Sequence, residues 1–91
     1  MVSGKVIIKN PTGLHLRAAG VFCKTAMLFD CKIMLEKVTR RGEISANAKS
    51  VLSVLGASVK CGDEITIVCD GKEEEKALQE MISIVEDGLG E

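Results

Sequence analysis

The sequence predicts an α+β fold, a two-layer open-faced sandwich in the element order β-α-β-β-α-β-α. Short runs in which apolar residues alternate with polar ones indicate strands. Longer stretches with apolar residues three and four places apart indicate helices, and turn-forming residues separate the two kinds. Four strands and three helices in one small chain imply one sheet with the helices on one face and solvent on the other.

The first strand is predicted over residues 5–9, "KVIIK", and it ends at a turn that contains Asn10, Pro11 and Gly13. A first helix is predicted over residues 16–28. Its apolar residues recur at helical spacing despite the helix-weakening Gly20, and they are Ala19, Phe22, Cys23 and Ala26.

A hairpin is predicted next. Residues 31–38 alternate as a half-buried strand, with Cys31, Ile33, Leu35 and, by the same alternation, Lys37 on one side. The polar turn 39–42 ends in glycine, and residues 43–46 can return as the partner strand.

The remaining elements are a short helix over 49–55 that Gly56 stops, a strand over 63–70 and a last helix over 72–89. The acidic start of the last helix suits the positive end of the helix dipole. Its apolar stripe comprises Ala77, Leu78, Met81, Ile82 and Val85.

Length and composition predict one domain, residues 1–91, with a core built from aliphatic side chains, since only two residues are aromatic. A net charge of −1 and the lack of Trp and Tyr argue against nucleic-acid binding, which needs a basic surface and stacking platforms. No segment resembles a signal peptide or a membrane span. We therefore expect a cytoplasmic protein that does not insert into membranes.

Four cysteines are spread along the chain, at positions 23, 31, 61 and 69. In a reducing compartment such scattered thiols are expected to be free and buried. Both local pairs have the spacing C-x7-C, whereas a metal-binding pair has C-x2-C, so a zinc or redox site is the less favoured alternative. We expect neither a metal nor a cofactor.

The second helix is apolar around too much of its circumference for simple packing on a sheet, because Val51, Leu52, Val54 and Leu55 are all apolar. Two interpretations remain open from the pattern alone. Part of the helix is an exposed docking surface, or a loop covers it.

His15, the only histidine, is predicted to lie at or next to the N-cap of the first helix. A lone histidine is more often an incidental surface residue than a functional one. At a helix start, however, unpaired amides favour an anion, and Arg17 can form bidentate bonds to phosphate oxygens. Neutral imidazole is a nucleophile near pH 7. His15, Arg17 and the backbone amides of Leu16, Arg17 and Ala18 therefore form a candidate site for a transient phosphohistidine, without any motif for cleaving ATP.

The stretch "GLHLRAA" (13–19) resembles the active-site signature of the HPr family, the histidine-containing phosphocarriers of the bacterial phosphoenolpyruvate:sugar phosphotransferase system. "FCKTA" (22–26), "SANAKS" (45–50), "GDEITI" (62–67) and "DGLGE" (87–91) follow in the order that family shows. The resemblance implies an antiparallel four-stranded sheet with three helices on one face. It also implies a monomeric phosphoprotein that serves sugar transport and is not a stand-alone enzyme.

The resemblance assigns roles residue by residue. His15 matches the histidine that takes phosphate from enzyme I and passes it to a sugar-specific enzyme IIA, and Arg17 matches the arginine that steadies the phosphoryl group. Ser50 matches the serine that HPr kinase/phosphorylase modifies, a change that a transcriptional regulator can read; taken alone, a serine at this position is more often a plain helix N-cap without a regulatory role. The partner-docking residues that the resemblance implies are Lys24, Lys49, Leu52 and Leu55.

Three features depart from the family pattern. Ala18 stands where the family usually has proline, Leu16 stands where it usually has a smaller residue, and "KVTRRGE" (37–43) is a few residues longer than usual. These departures keep two hypotheses open. The chain is a phosphoryl carrier, or it is a regulatory paralogue that binds partners and is switched at Ser50.

Overall fold

A computed structural model describes residues 1–91 and confirms the predicted fold class and element order. The elements are β1 (Val2–Ile7), α1 (Leu16–Ala26), β2 (Lys32–Thr39), β3 (Gly42–Asn47), α2 (Val51–Gly56), β4 (Glu64–Asp70) and α3 (Glu74–Glu86). The four strands form one antiparallel sheet in the order β1-β4-β2-β3. The helices pack on one face of this sheet and leave the other face open.

The core lies between the sheet and the helices. The alternating apolar residues of β2 and β4 are buried, among them Ile33, Leu35, Ile65 and Ile67. Opposite them lie the fully buried Phe22 and the apolar stripes of α1 and α3. Burying one such large apolar side chain contributes about 1.5–3 kcal/mol relative to exposing it, so the aliphatic core compensates for the few aromatic residues.

The observed bounds differ from the predicted ones mainly at β1. The strand begins at Val2, well before residue 5, because Val2 pairs with Cys69 of β4, and it ends at Ile7, before the predicted end at residue 9. This longer strand includes Gly4. Gly4 lies against α3, since a Cβ at this position would be 2.8 Å from Ile82 Cδ1.

The helices are shorter than predicted. α1 ends at Ala26, α2 begins at Val51 after the N-cap Ser50, and α3 covers only residues 74–86. α2 includes Gly56, the residue predicted to stop it, and ends at the C-cap Ala57. The connection between β2 and β3 consists only of Arg40 and Arg41.

The end of β2 supplies an exception to the apolar inner face. Lys37 follows Ile33 and Leu35 in the alternation, but its side chain extends past the core and reaches the loop before β4. Its ammonium donates a hydrogen bond to the carbonyl oxygen of Ser58. An inner-face position near the edge of the core can therefore hold a cation, because the charged end leaves the apolar layer.

Candidate functional site

The loop before α1 is fixed by backbone contacts at Gly13 and Leu14. Gly13 has φ +64°, and a Cβ on it would lie 2.6 Å from the carbonyl oxygen of Val59 and 2.7 Å from Lys60 Cα. The Leu14 amide donates a hydrogen bond to that same Val59 oxygen at 3.0 Å. Glycine is needed here both for the left-handed conformation and for the close approach of two backbones. The loop that carries His15 thus lies directly on the segment before β4.

Asn10 holds the other end of the same loop. Its side chain is buried, and its Nδ2 donates to the carbonyl oxygen of Gly13 at 2.7 Å and to Glu91 Oε1 at 2.8 Å. Asn10 Oδ1 is buried without a partner. The sequence identifies Asn10 and Gly13 as turn formers, but nothing in it points to their contacts with residues far along the chain.

His15 is the N-cap residue of α1, as predicted. Its backbone is extended, and its carbonyl oxygen accepts a hydrogen bond from the Ala19 amide at 2.7 Å. The imidazole is exposed and makes no capping hydrogen bond. The amides of Leu16, Arg17 and Ala18 donate to no acceptor in the protein, so three N–H groups at the positive end of the helix dipole are free beside the imidazole.

Arg17 lies exposed in the first turn of α1 and forms no salt bridge. The nearby carboxylate is that of Glu91, which accepts hydrogen bonds from Thr12 Oγ1 at 2.6 Å and from Asn10. These two hydrogen bonds, with a smaller contribution from the Arg17 charge, lower the pKa of Glu91 below its usual value. Glu91 therefore stays ionised near the site while the guanidinium of Arg17 remains available for an anion.

A shallow depression opens beside His15. It is lined by Thr12, Leu14, His15, Leu55, Ser58, Val59 and Lys60. The structure thus brings the start of α1 next to the end of α2, and the predicted docking residue Leu55 shares a surface with the predicted phosphate acceptor. The Ser58–Lys60 wall of this depression carries no recognisable signal in the sequence.

Ser50 is the N-cap of α2, and its Oγ accepts a hydrogen bond from the Ser53 amide at 3.2 Å. Ser53 Oγ in turn accepts a hydrogen bond from the Asn47 amide at 2.9 Å. The local role of Ser50 as a cap is therefore clear, and its hydroxyl is half-buried.

The four predicted docking residues do not have equal exposure. Leu52 is 82% exposed and Lys24 is exposed, whereas Leu55 is half-buried. Lys49 is also half-buried, because its Nζ donates a hydrogen bond to the carbonyl oxygen of Phe29. The exposed apolar surface includes Leu16, at 62%, next to His15. Of the two interpretations left open for α2, the structure supports the exposed one for Leu52, since no loop covers it.

The prediction of four buried thiols is wrong at one position. Cys23, Cys31 and Cys69 are buried and unpaired, but Cys61 is exposed in the loop before β4, where its thiol lies 3.7 Å from the carbonyl oxygen of Lys9. Burial raises the pKa of Cys23, and burial together with the neighbouring Cys31 raises that of Cys69 to about 11. No group of three or more His, Cys, Asp or Glu side chains is placed to hold a metal ion.

An open-faced sandwich with one exposed histidine at the start of its first helix is the architecture of the HPr phosphocarriers. The family model "PTS HPr component phosphorylation site" matches residues 2–87. The chain belongs to the HPr family.

Individual relatives agree with this assignment. The chain is 38% identical over 78 residues to the phosphocarrier protein HPr of Treponema pallidum, covering 86% of this chain and 84% of the relative. It is 32% identical over 87 residues to the HPr-like protein Crh of Bacillus subtilis, covering 96% and 98%. A crystal structure of HPr from Thermoanaerobacter tengcongensis superimposes with a TM-score of 0.90 at 33% identity, covering 100% of this chain and 98% of that one.

No helix of this chain has the length and apolar character needed to span a membrane.

Proposed function

We propose that this chain carries a phosphoryl group on His15, accepting it from phosphorylated enzyme I and passing it to an enzyme IIA of the phosphotransferase system. The observation that carries the proposal is the exposed, unbonded imidazole of His15 beside three unpaired amides at the start of α1. Membership of the HPr family supports the same function. The protein would act as a cytoplasmic monomer, with residues 1–91 forming its one domain and with no metal or cofactor.

The geometry suits acceptance of a phosphoryl group. An imidazole nitrogen of His15 attacks phosphorus, a new N–P bond forms, and the N–P bond to the donor histidine of enzyme I breaks. The phosphoryl oxygens then face the amides of Leu16, Arg17 and Ala18, whose dipoles are already oriented. Arg17 adds a charge that can bond two oxygens at once. Because these groups are in place before the reaction, holding the anion requires little rearrangement.

The experiment is to incubate the native chain with enzyme I and radiolabelled phosphoenolpyruvate. We expect one acid-labile, base-stable phosphate per chain. His15→Ala should take up none, whereas the matched Ser50→Ala should take up as much as the native chain, because enzyme I acts on histidine. A native chain that takes no phosphate from a range of enzymes I would overturn the proposal.

A second candidate function is a regulatory module that docks partners through α2 and is switched by phosphorylation of Ser50. Two observations favour it: Leu52 is 82% exposed beside Ser50, and the relatives include the HPr-like protein Crh, whose solution structure is described as that of a catabolite repression HPr. Its partners would be HPr kinase/phosphorylase and a transcriptional regulator. Phosphate on Ser50 would add about −1.5 to −2 charges at the edge of this surface.

The two functions separate experimentally. Binding of a regulator that survives His15→Ala but changes with Ser50→Asp and weakens with Leu52→Ser supports the regulatory module. Lys24→Gln tests whether the basic edge of the same surface also takes part. Loss of regulator binding in His15→Ala would count against a separate regulatory role.

A further inference from the structure

Lys37 is held more tightly than a surface lysine. Its side chain is only 16% exposed, its Nζ lies 2.8 Å from Asp63 Oδ2, and the same ammonium donates a hydrogen bond to the carbonyl oxygen of Ser58 at 3.0 Å. Asp63 Oδ2 also accepts a hydrogen bond from the Lys60 amide at 2.9 Å. One side chain of β2 thus joins both ends of residues 58–63, which we call the supporting segment.

The supporting segment is an irregular turn that Lys37 contacts from β2. It begins at Ser58, a non-glycine residue with φ +53°, and it contains no helix or strand before β4. The Ser58 amide donates a hydrogen bond to the carbonyl oxygen of Leu55 at 3.2 Å, and the Asp63 amide donates one to that of Lys60. Ile8 accepts a hydrogen bond from the Gly62 amide and donates one to the carbonyl oxygen of Asp63. Lys37 is the only side chain that forms a hydrogen bond to Ser58, the first residue of the segment.

The same segment carries the loop before His15. The carbonyl oxygen of Val59 accepts the Leu14 amide at 3.0 Å, and Gly13 lies against Val59 and Lys60. Ser58, Val59 and Lys60 also form one wall of the depression beside His15. A shift of Ser58 therefore moves the acceptor that fixes Leu14, and with it the start of α1.

We infer that Lys37 is a positioning residue for His15, acting through the supporting segment and the Leu14–Val59 hydrogen bond. Lys37 does not touch the imidazole. Its contribution to phosphoryl transfer rests on the proposed carrier function, whereas its contribution to the placement of the His15 loop does not. Without the ammonium, the Ser58 carbonyl and the Asp63 carboxylate lose their shared partner, and the segment opens locally more often.

The test compares Lys37→Met, which keeps most of the aliphatic stem and removes the charge, with Lys37→Arg, which can again reach both oxygens. Lys32→Met is the matched control, because it removes the same charge from an exposed position at the other end of β2. Two quantities are measured for each: hydrogen exchange of the Leu14 amide relative to a core amide such as that of Ile67, and the rate of phosphate uptake from enzyme I.

In Lys37→Met we expect Leu14 exchange to rise by about tenfold with Ile67 exchange unchanged, and phosphate uptake to slow by about tenfold. Lys37→Arg should restore both, and Lys32→Met should alter neither. Equal acceleration of Leu14 and Ile67 would mean that Lys37 only stabilises the whole fold, which overturns the inference. Unchanged phosphate uptake despite faster Leu14 exchange would also overturn it. If the native chain takes up no phosphate, the carrier function fails, and Leu14 exchange alone decides the placement of the loop.

Discussion

Replacing Gly13 with alanine tests whether the close approach at the start of the site is required. The substitution adds one methyl group at a position with φ +64°, where it would lie 2.6 Å from the Val59 oxygen and 2.7 Å from Lys60 Cα. Both neighbours are backbone atoms, so neither can move aside by a change of rotamer. The loop before His15 must then lift away from the supporting segment.

The expected cost follows from two contributions. A non-glycine residue in the left-handed region costs about 1–2 kcal/mol. Separation of the two backbones also breaks the hydrogen bond from Leu14 to Val59, which contributes about 0.5–1.5 kcal/mol. Together with the strain of any remaining overlap, the free energy of unfolding should fall by about 2–4 kcal/mol.

Urea denaturation measures this loss, and two other glycines serve as controls. Gly62 has φ +92° but open space around it, so Gly62→Ala reports the conformational cost without the steric contact. Gly20 lies inside α1, also in open space, and Gly20→Ala should stabilise the protein by about 0.5–1 kcal/mol. A loss for Gly13→Ala below about 1 kcal/mol, or no larger than that for Gly62→Ala, would refute the claim that the backbone contact fixes this loop.

Three further predictions concern the site and the loops around it. Arg17→Ala removes the charge that can bond two phosphoryl oxygens, so the equilibrium uptake of phosphate on His15 from phosphorylated enzyme I should fall by about tenfold; an unchanged equilibrium would exclude the guanidinium as a phosphate ligand. The pKa of Asp63 is lowered, first by the hydrogen bond from Lys37 and then by the Lys60 amide, so its contribution to stability is present above the ordinary carboxyl pKa and is lost as pH falls through the lowered value. Native protein should therefore be more stable than Asp63→Asn at pH 7, and the difference should shrink on acid titration; a constant difference would contradict this. Finally, a thiol reagent should modify only Cys61 in the folded protein, and mass spectrometry would expose an error if any of Cys23, Cys31 or Cys69 reacted.

The fold was predictable because its signals are local. Alternation along β2 and β4 and helical spacing in α1 and α3 report which side of each element is apolar, and the structure buries those sides. The errors occur where contacts between residues far apart in the sequence determine the bounds of an element. Pairing with β4 extends β1 back to Val2, which the local pattern of the sequence does not indicate.

The chemistry of the candidate site was predictable from the sequence, but the contacts that hold the site in place were not. His15 as N-cap, with Arg17 two residues on, follows from the sequence around one turn. The contacts that hold them come from the far end of the chain, since Leu14 bonds Val59 and Asn10 bonds Glu91. No periodic pattern marks such pairs. The exposure of Cys61 was missed for the same reason, because a cysteine in a loop has no alternation to show which way it faces.

The strand order β1-β4-β2-β3 has a consequence for how the protein is made. β1 pairs only with β4, and the loop before His15 lies on the segment that leads into β4. During synthesis, neither the first strand nor the first helix has its final support until most of the chain has left the ribosome. Contacts between such distant segments form slowly compared with local ones. The site at His15 is therefore assembled late, so a partly folded chain would hold its histidine out of position for any partner.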